Sequence, residues 1–165
     1  MRYFRLYEKL DGRAPLGYGR ADGRWNMQGS PLIYCSNTLS LTMLEQYTIR
    51  GRAVEDVIWE LAELELRDEI PFVELDDLLK DWNSRPYPKS TLLFGTQWAS
   101  ENMGLCLAVP SIRIPLFRFP EEHNLLVNPL HPAFQPSGGK IAKAIEVIKT
   151  ETIKFTLNGI EKQNA

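Results

Sequence analysis

The chain has 165 residues, of which 44% are hydrophobic and 24% charged, and its formal net charge is −2. These values are typical of one soluble domain and give no electrostatic reason to bind a polyanion. The only cysteines, Cys35 and Cys106, lie in apolar runs, and His123 and His131 form no ligand cluster with them, so metal catalysis is not expected. The start MRYFRLYEKL is neither a signal peptide nor a membrane span, so the expected location is a reducing cytoplasm.

The first part of the chain predicts a strand, a long loop and a second strand. Residues 1–7 alternate loosely around apolar side chains, with Arg5 between two of them, as in a strand. Residues 11–29 are rich in glycine, and a long loop of this kind is more often a binding segment than an idle connection. Residues 31–36 are a short apolar run bounded by turn residues, which predicts a buried strand.

A helix is predicted next, and three polar residues could cap it: Ser36, Asn37 and Thr38. Leu41, Leu44 and Thr48 form one buried stripe of this helix, with Glu45 at its edge. A carboxylate in that place loses hydration unless it has a partner or a function. Other glutamates are free of this constraint and are expected to lie in solvent: Glu55, Glu60 and Glu63.

The rest of the chain predicts many short strands and few helices. The predicted strands cover residues 57–66, 105–109, 112–119, 124–127 and 153–157. The predicted helices cover residues 75–82, 92–101 and 141–150. Residues 161–165 are expected to be frayed. Because strands and helices do not alternate regularly, we expect an α+β fold in a single domain over residues 1–165.

Three residues on successive elements suggest a nucleotide site. Arg24 offers a planar fork for a phosphate, Tyr34 a ring on which a flat base could stack, and Glu45 a carboxylate for a sugar hydroxyl. Ser111, after a predicted strand, could add a hydroxyl donor. Taken singly, these residues fit a surface ion pair, a core tyrosine and a turn cap equally well. Together they indicate a dinucleotide such as NAD.

Further polar residues lie within and just after the predicted strand over residues 124–127. Asn124, Asn128 and His131 could line the same cleft, although an asparagine near a proline turn usually satisfies its own backbone. Trp82 and Trp98 are expected in the core or in the cleft wall. The sequence has no GxxxxGK[ST] loop, no GxGxxG after a strand and no basis for a Ser-His-Asp triad.

Three segments in fixed order resemble the RES-domain family, which is named for Arg, Glu and Ser. They read GRWNMQGSPLIYCS, TMLEQ and VPSIRIP followed by NLLVNPLHPAF, and they span most of residues 4–134. The resemblance implies a bacterial toxin of a type II toxin–antitoxin system, paired with an Xre-type antitoxin. It also implies an ADP-ribosyltransferase-like fold of small mixed or antiparallel sheets with flanking helices, and growth arrest by NAD depletion.

The family's site residues carry over to named positions. They are Arg24, Tyr34, Glu45 and Ser111, and Arg5 and Asn26 are added as predicted NAD contacts. The C-terminal segment KFTLNGIEKQNA departs from the Asp-x-Arg-Leu ending that many members have, which puts the terminal contacts in question.

The resemblance implies that the bond between nicotinamide and ribose is cleaved, with Glu45, Arg24 and Tyr34 as catalytic residues. The acceptor stays open: water gives a glycohydrolase, inorganic phosphate a phosphorylase, and a protein side chain an ADP-ribosyltransferase. A catalytically idle nucleotide-binding module is the remaining alternative. NAD is expected as substrate, with no metal or other cofactor, no membrane, and contact with DNA only through the antitoxin.

Overall fold

The structure is a computed structural model that describes residues 1–134, 144–156 and 158–163. Its strands are β1 (Arg2–Glu8), β2 (Ile33–Ser36), β3 (Ile58–Leu66), β4 (Cys106–Val109), β5 (Asn124–Val127), β6 (Ile145–Thr156) and β7 (Gly159–Lys162). Its α-helices are α1 (Leu39–Arg50) and α2 (Lys89–Ser100). In this part of the chain the strands form one antiparallel sheet in the order β4-β5-β2-β1-β3-β6-β7. The predicted α+β class is confirmed.

The sheet is weakly joined between β1 and β2. Strands β1 and β3 pair along their length, from Arg2 opposite Glu65 to Glu8 opposite Trp59. Strands β1 and β2 share only the pair of Phe4 with Ser36. Side chains of both strands therefore border a gap in the sheet, and a cavity lies at this gap.

Helix α1 begins directly after β2 and lies over this gap. The Thr38 hydroxyl accepts a hydrogen bond from the Leu41 N–H at 3.2 Å, so Thr38 is the cap among the three predicted candidates. Leu41 and Thr42 are buried, whereas Leu44 and Thr48 are exposed. The predicted stripe is wrong beyond its first residue, because only the first turns of the helix are covered by the sheet.

Strand β3 confirms the predicted strand, but one of its glutamates is not in solvent. Glu63 is 8% exposed and forms an ion pair with Arg2 at 2.9 Å. Glu63 and Leu64 point to opposite faces and are both buried, so both faces of β3 are covered here, and β6 carries one extra residue, Ile148, opposite this point. The alternation of buried and exposed residues expected for a regular strand therefore fails at this point.

Three other predictions are wrong, each for a local reason. Residues 75–82 form only a 3₁₀ turn over Leu75–Asp77. Residues 112–119 form turns and a 3₁₀ turn over Leu116–Arg118, since prolines on both sides cannot donate to a strand ladder. The helix predicted over residues 141–150 is instead the beginning of β6, rich in β-branched residues that favour strands, while residues 141–143 lie outside the described part.

The C-terminal region is more ordered than expected. Glu161 and Lys162 belong to β7, which pairs with β6, so the expected fraying is wrong for these two residues. Residues 157, 164 and 165 lie outside the described part. Where the chain is described, no helix has the length and apolar character needed to cross a membrane.

Side chains of the sheet alternate between two packed layers. Ile33, Leu125 and Val127 belong to a cluster on one face. Leu126 packs on the other face with the buried tryptophans Trp25, Trp82 and Trp98. The expected core positions of Trp82 and Trp98 are confirmed, and the Trp82 carbonyl accepts a hydrogen bond from Arg24.

Candidate active site

A cavity of about 300 Å³ lies between β1, β2, α1 and the segment that follows β4. Four of the predicted site residues line it: Arg24, Tyr34, Glu45 and Ser111. They come from a loop, a strand, a helix and a turn that are far apart in sequence. The fold therefore places one cation, one aromatic ring, one carboxylate and one hydroxyl around a single space.

The Glu45 carboxylate is held by three donors. The Ser111 hydroxyl and the Asn124 amide donate to Oε1 at 2.7 and 2.6 Å, and the Arg113 Nε donates to Oε2 at 3.3 Å. Each carboxylate oxygen has two lone pairs, so Oε2 can accept one more donor. The carboxylate is thus fixed in orientation while one acceptor position stays open to a ligand.

Strand pairing explains why these donors meet. Antiparallel pairing sets Val109 of β4 opposite Asn124 of β5, so Ser111, two residues beyond Val109, lies at the same end of the sheet. Asn124 is also opposite Ser36 of β2. The Ser36 hydroxyl donates to the Asn124 Oδ1 at 2.7 Å, which turns the amide nitrogen toward Glu45.

Arg24 is bound to backbone but keeps an unused donor. Its Nη1 donates to the carbonyl oxygens of Trp82 and Ser84 at 2.7 and 3.2 Å, and its guanidinium lies 4.8 Å from the Tyr87 ring centre. Among the described residues, nothing accepts a hydrogen bond from its buried Nη2. Burial lowers the pKa of Arg24, yet a guanidinium remains cationic near neutral pH. An oxygen-bearing anion would satisfy the orphan donor.

Tyr34 offers its ring rather than its hydroxyl. The hydroxyl donates to the Asn26 Oδ1 at 2.6 Å and accepts from the Trp25 N–H at 3.1 Å. Burial raises the pKa of the Tyr34 hydroxyl, which therefore stays protonated. Gly23 permits this contact, because a Cβ there would lie 2.6 Å from the Tyr34 oxygen.

Asn26 and Arg5 do not line this cavity, whereas Arg5 lines a neighbouring cavity of about 500 Å³ beside the glycine-rich loop. The Asn26 side chain is buried, and its amide donates to backbone carbonyls of its own loop, Ala21 and Ser30, both at 2.8 Å. The Arg5 guanidinium donates to the carbonyls of Pro15 and Gly17. Both side chains hold the glycine-rich loop, and their contact with the substrate stays a prediction.

Comparison with known proteins identifies the family. The family model described as RES domain matches residues 2–147. This chain belongs to the RES-domain family. A protein named Toxin Res from Yersinia enterocolitica serotype O:8 / biotype 1B is 36% identical over 122 residues, which cover 72% of this chain and 77% of that protein. A protein named Prs ADP-ribosylating toxin from Sphingobium sp. (strain YBL2) is 31% identical over 132 residues, 78% of each chain.

A solved structure shows the same fold. The structure of the M. tuberculosis MbcT-MbcA toxin-antitoxin complex contains a chain that matches with a TM-score of 0.68 and 15% identity. The match covers 93% of this chain and 84% of the other. The expected recognition as a RES-domain toxin is confirmed. The residues predicted for the three letters of the family name line one cavity: Arg24, Glu45 and Ser111.

Two donors to Glu45 in this RES domain, Arg113 and Asn124, are poorly predicted by the sequence. The sequence does not indicate Arg113, because residues 112–119 predict a strand rather than the turn that directs its side chain to Glu45. Asn124 was only one of three cleft candidates. The others, Asn128 and His131, do not line the cavity; Asn128 is fully buried and donates to the Ala99 carbonyl at 2.8 Å. The available signal for Asn124 was its place in the family motif, where it begins the segment NLLVNPLHPAF that follows the Ser111 segment VPSIRIP.

Proposed function

We propose that this RES domain is the toxin of a toxin–antitoxin pair and that it cleaves the bond between nicotinamide and ribose in NAD. The observation that carries the proposal is the Glu45 carboxylate, held by three donors in a cavity that Arg24 and Tyr34 also line. Two relatives named as toxins support the growth-arresting role. NAD as the substrate and the cytoplasm as the location are parts of this proposal.

The chemistry requires little proton transfer to the leaving group. When the bond between ribose C1′ and nicotinamide N1 breaks, its electron pair passes to N1, and the cationic ring leaves as neutral nicotinamide. Positive charge then develops on the ribose. Glu45 would stabilise this charge, and its open acceptor position on Oε2 would receive a ribose hydroxyl. Because the carboxylate is already oriented, little reorganisation is needed in the transition state.

Arg24 and Tyr34 would position the half of NAD that contains the nicotinamide, its ribose and the adjoining phosphate. The unpaired Nη2 of Arg24 would donate to a phosphate oxygen, and the Tyr34 ring would lie against the nicotinamide. Ser111 would act mainly through Glu45, since its hydroxyl already donates to that carboxylate. The acceptor oxygen then bonds to C1′ and releases its proton to Glu45 or to solvent.

Transfer of ADP-ribose to a protein is the second candidate, and a specific observation favours it. The 31% identical relative carries the name Prs ADP-ribosylating toxin. In that case C1′ would bond to a side chain of the target instead of to water or phosphate. Label from NAD would then appear on a protein, and free ADP-ribose would be scarce.

An Xre-type antitoxin is the proposed partner, acting by covering the Glu45 cavity. The likeness to a chain from a toxin-antitoxin complex supports a partner of this general kind. The test is nicotinamide release at increasing amounts of the cognate antitoxin. Tight binding of the antitoxin with unchanged turnover would refute occlusion.

The first experiment measures nicotinamide release from NAD by the purified chain, with product masses determined in the presence and absence of phosphate. ADP-ribose indicates hydrolysis, and a phosphorylated ADP-ribose that depends on phosphate indicates phosphorolysis. Glu45→Gln keeps the shape but removes the charge, so turnover should fall by at least about hundredfold. The matched control is Glu122→Gln, whose carboxylate pairs with Arg118 outside the cavity, and it should retain activity.

A Glu45→Gln variant with wild-type turnover would exclude this carboxylate from the reaction. A folded wild-type chain, free of antitoxin, that consumes no NAD would exclude hydrolysis and phosphorolysis. That result would favour transfer to a protein target or an idle nucleotide-binding module, and labelled NAD in a cell extract would separate the two.

A further inference from the structure

A second cavity, of about 280 Å³, adjoins the Glu45 cavity. The two cavities share Ser111, Ile112 and Arg113. The remaining lining residues of the second cavity are Trp82, Asn83, Arg85, Ile114 and Leu116. Two of its lining side chains are cationic and none is acidic, so this cavity favours an anion.

Arg113 joins the two cavities and uses only part of its donor capacity. Its side chain is 10% exposed, and its Nε donates to the Glu45 Oε2 at 3.3 Å. Its backbone N–H donates to the Ser111 hydroxyl oxygen at 3.0 Å, which anchors the residue in place. Its terminal nitrogens hydrogen-bond to nothing in the described part of the chain. A bidentate pair would engage two guanidinium nitrogens, whereas here only Nε contacts Glu45 and both Nη atoms remain able to donate to a ligand.

Cationic side chains outnumber acidic ones around Arg113. Burial lowers the pKa of Arg24, and the positive charge of the nearby Arg85 lowers it further. Glu45 and Asp22 are the acidic residues on the neighbouring cavity, and Glu45 is already engaged by Arg113. Clustered guanidinium groups repel one another unless an anion lies between them.

We propose that Arg113, Arg85 and Asn83 form a phosphate-binding subsite beside the Glu45 cavity. The guanidinium forks of Arg113 and Arg85 match the spacing of phosphate oxygens, and the Asn83 amide adds neutral donors. The inference rests on the proposed function, in that the phosphate belongs either to the dinucleotide or to an inorganic acceptor. Arg113 would then link the bound phosphate to the carboxylate at the reacting ribose.

Calorimetric titration of the full chain tests this subsite without any turnover. The probes are inorganic phosphate and ADP-ribose at constant ionic strength. Arg85 is exposed and makes no hydrogen bond to another described residue, so Arg85→Gln should fold normally. Loss of one charged donor pair should weaken binding of at least one probe by about tenfold. Arg67→Gln, which removes an exposed ion pair with Glu146 away from both cavities, should bind both probes as the wild type does.

The pattern of losses identifies the source of the phosphate. Weaker binding of inorganic phosphate indicates an acceptor site, and weaker binding of ADP-ribose alone indicates a phosphate of the dinucleotide. Arg113→Lys, which keeps the charge but removes the fork, should show the same loss. The subsite is refuted if the wild type binds neither probe, or if Arg85→Gln binds both as the wild type does. Nicotinamide release is measured separately, so its absence would overturn the proposed function and not the subsite.

Discussion

Replacing Asn124 by leucine tests whether the orientation of the Glu45 carboxylate matters for the reaction. Leucine has a similar size, so the change removes the amide while leaving the volume nearly filled. Glu45 loses the donor at 2.6 Å, and the Ser36 hydroxyl loses its acceptor at 2.7 Å. Ser111 and Arg113 remain to hold the carboxylate, which keeps its charge but not its full set of contacts.

The expected magnitude follows from the lost contact to a charged group. A hydrogen bond of this kind contributes about 1.5–3 kcal/mol. If that energy is expressed in the transition state, turnover should fall by roughly 10- to 150-fold. The unfolding free energy should fall by a similar few kcal/mol, because the Ser36 donor is left unpaired as well.

Asn128 provides a control directly after β5, at the opposite end of the strand from Asn124. It is fully buried, whereas Asn124 is half-buried, and it bonds to the Ala99 carbonyl and the Leu130 N–H but does not line the cavity. Asn128→Leu should lower stability without changing nicotinamide release per folded molecule. Urea denaturation gives the stability of each variant. Wild-type turnover by Asn124→Leu, or an equal loss by both variants, would refute the proposed role of the held carboxylate.

Two further predictions concern stability. Gly95→Ala should destabilise the fold by about 1–3 kcal/mol in urea denaturation although alanine favours helices, because a Cβ there would overlap the Trp25 carbonyl; a more stable variant would contradict this packing. Burial lowers the pKa of His123, whose ring bonds to the Tyr3 hydroxyl and the Pro120 carbonyl, so the unfolded chain binds more protons below about pH 6.5. Stability from His123 is thus present above that pH and lost below it. The thermal midpoint should fall more between about pH 7 and pH 5.5 in the wild type than in His123→Gln, and equal slopes would contradict the assignment.

Local sequence signals predicted the parts of this RES domain that depend on neighbours along the chain. The apolar runs before Ser36 and around Leu107 read as buried strands because they are short and bounded by turns. Thr38 is among the three caps that the sequence predicts, because capping needs only a side-chain oxygen three residues before an N–H. The sequence predicts a strand for the second half of β6 but a helix for its first half, since the pairing partner β3 is far away in sequence.

The sequence by itself determined the residue types and order from which the family, the α+β class and the four cavity residues could be inferred. Only the tertiary structure decided which side chains are available to a ligand. Strand pairing brought Asn124 to Glu45, and a turn brought Arg113 there, while Asn26 and Arg5 were taken up by backbone carbonyls. The physical reason is that hydrogen-bond partners distant in sequence are chosen by strand register and turn geometry, which no local pattern specifies.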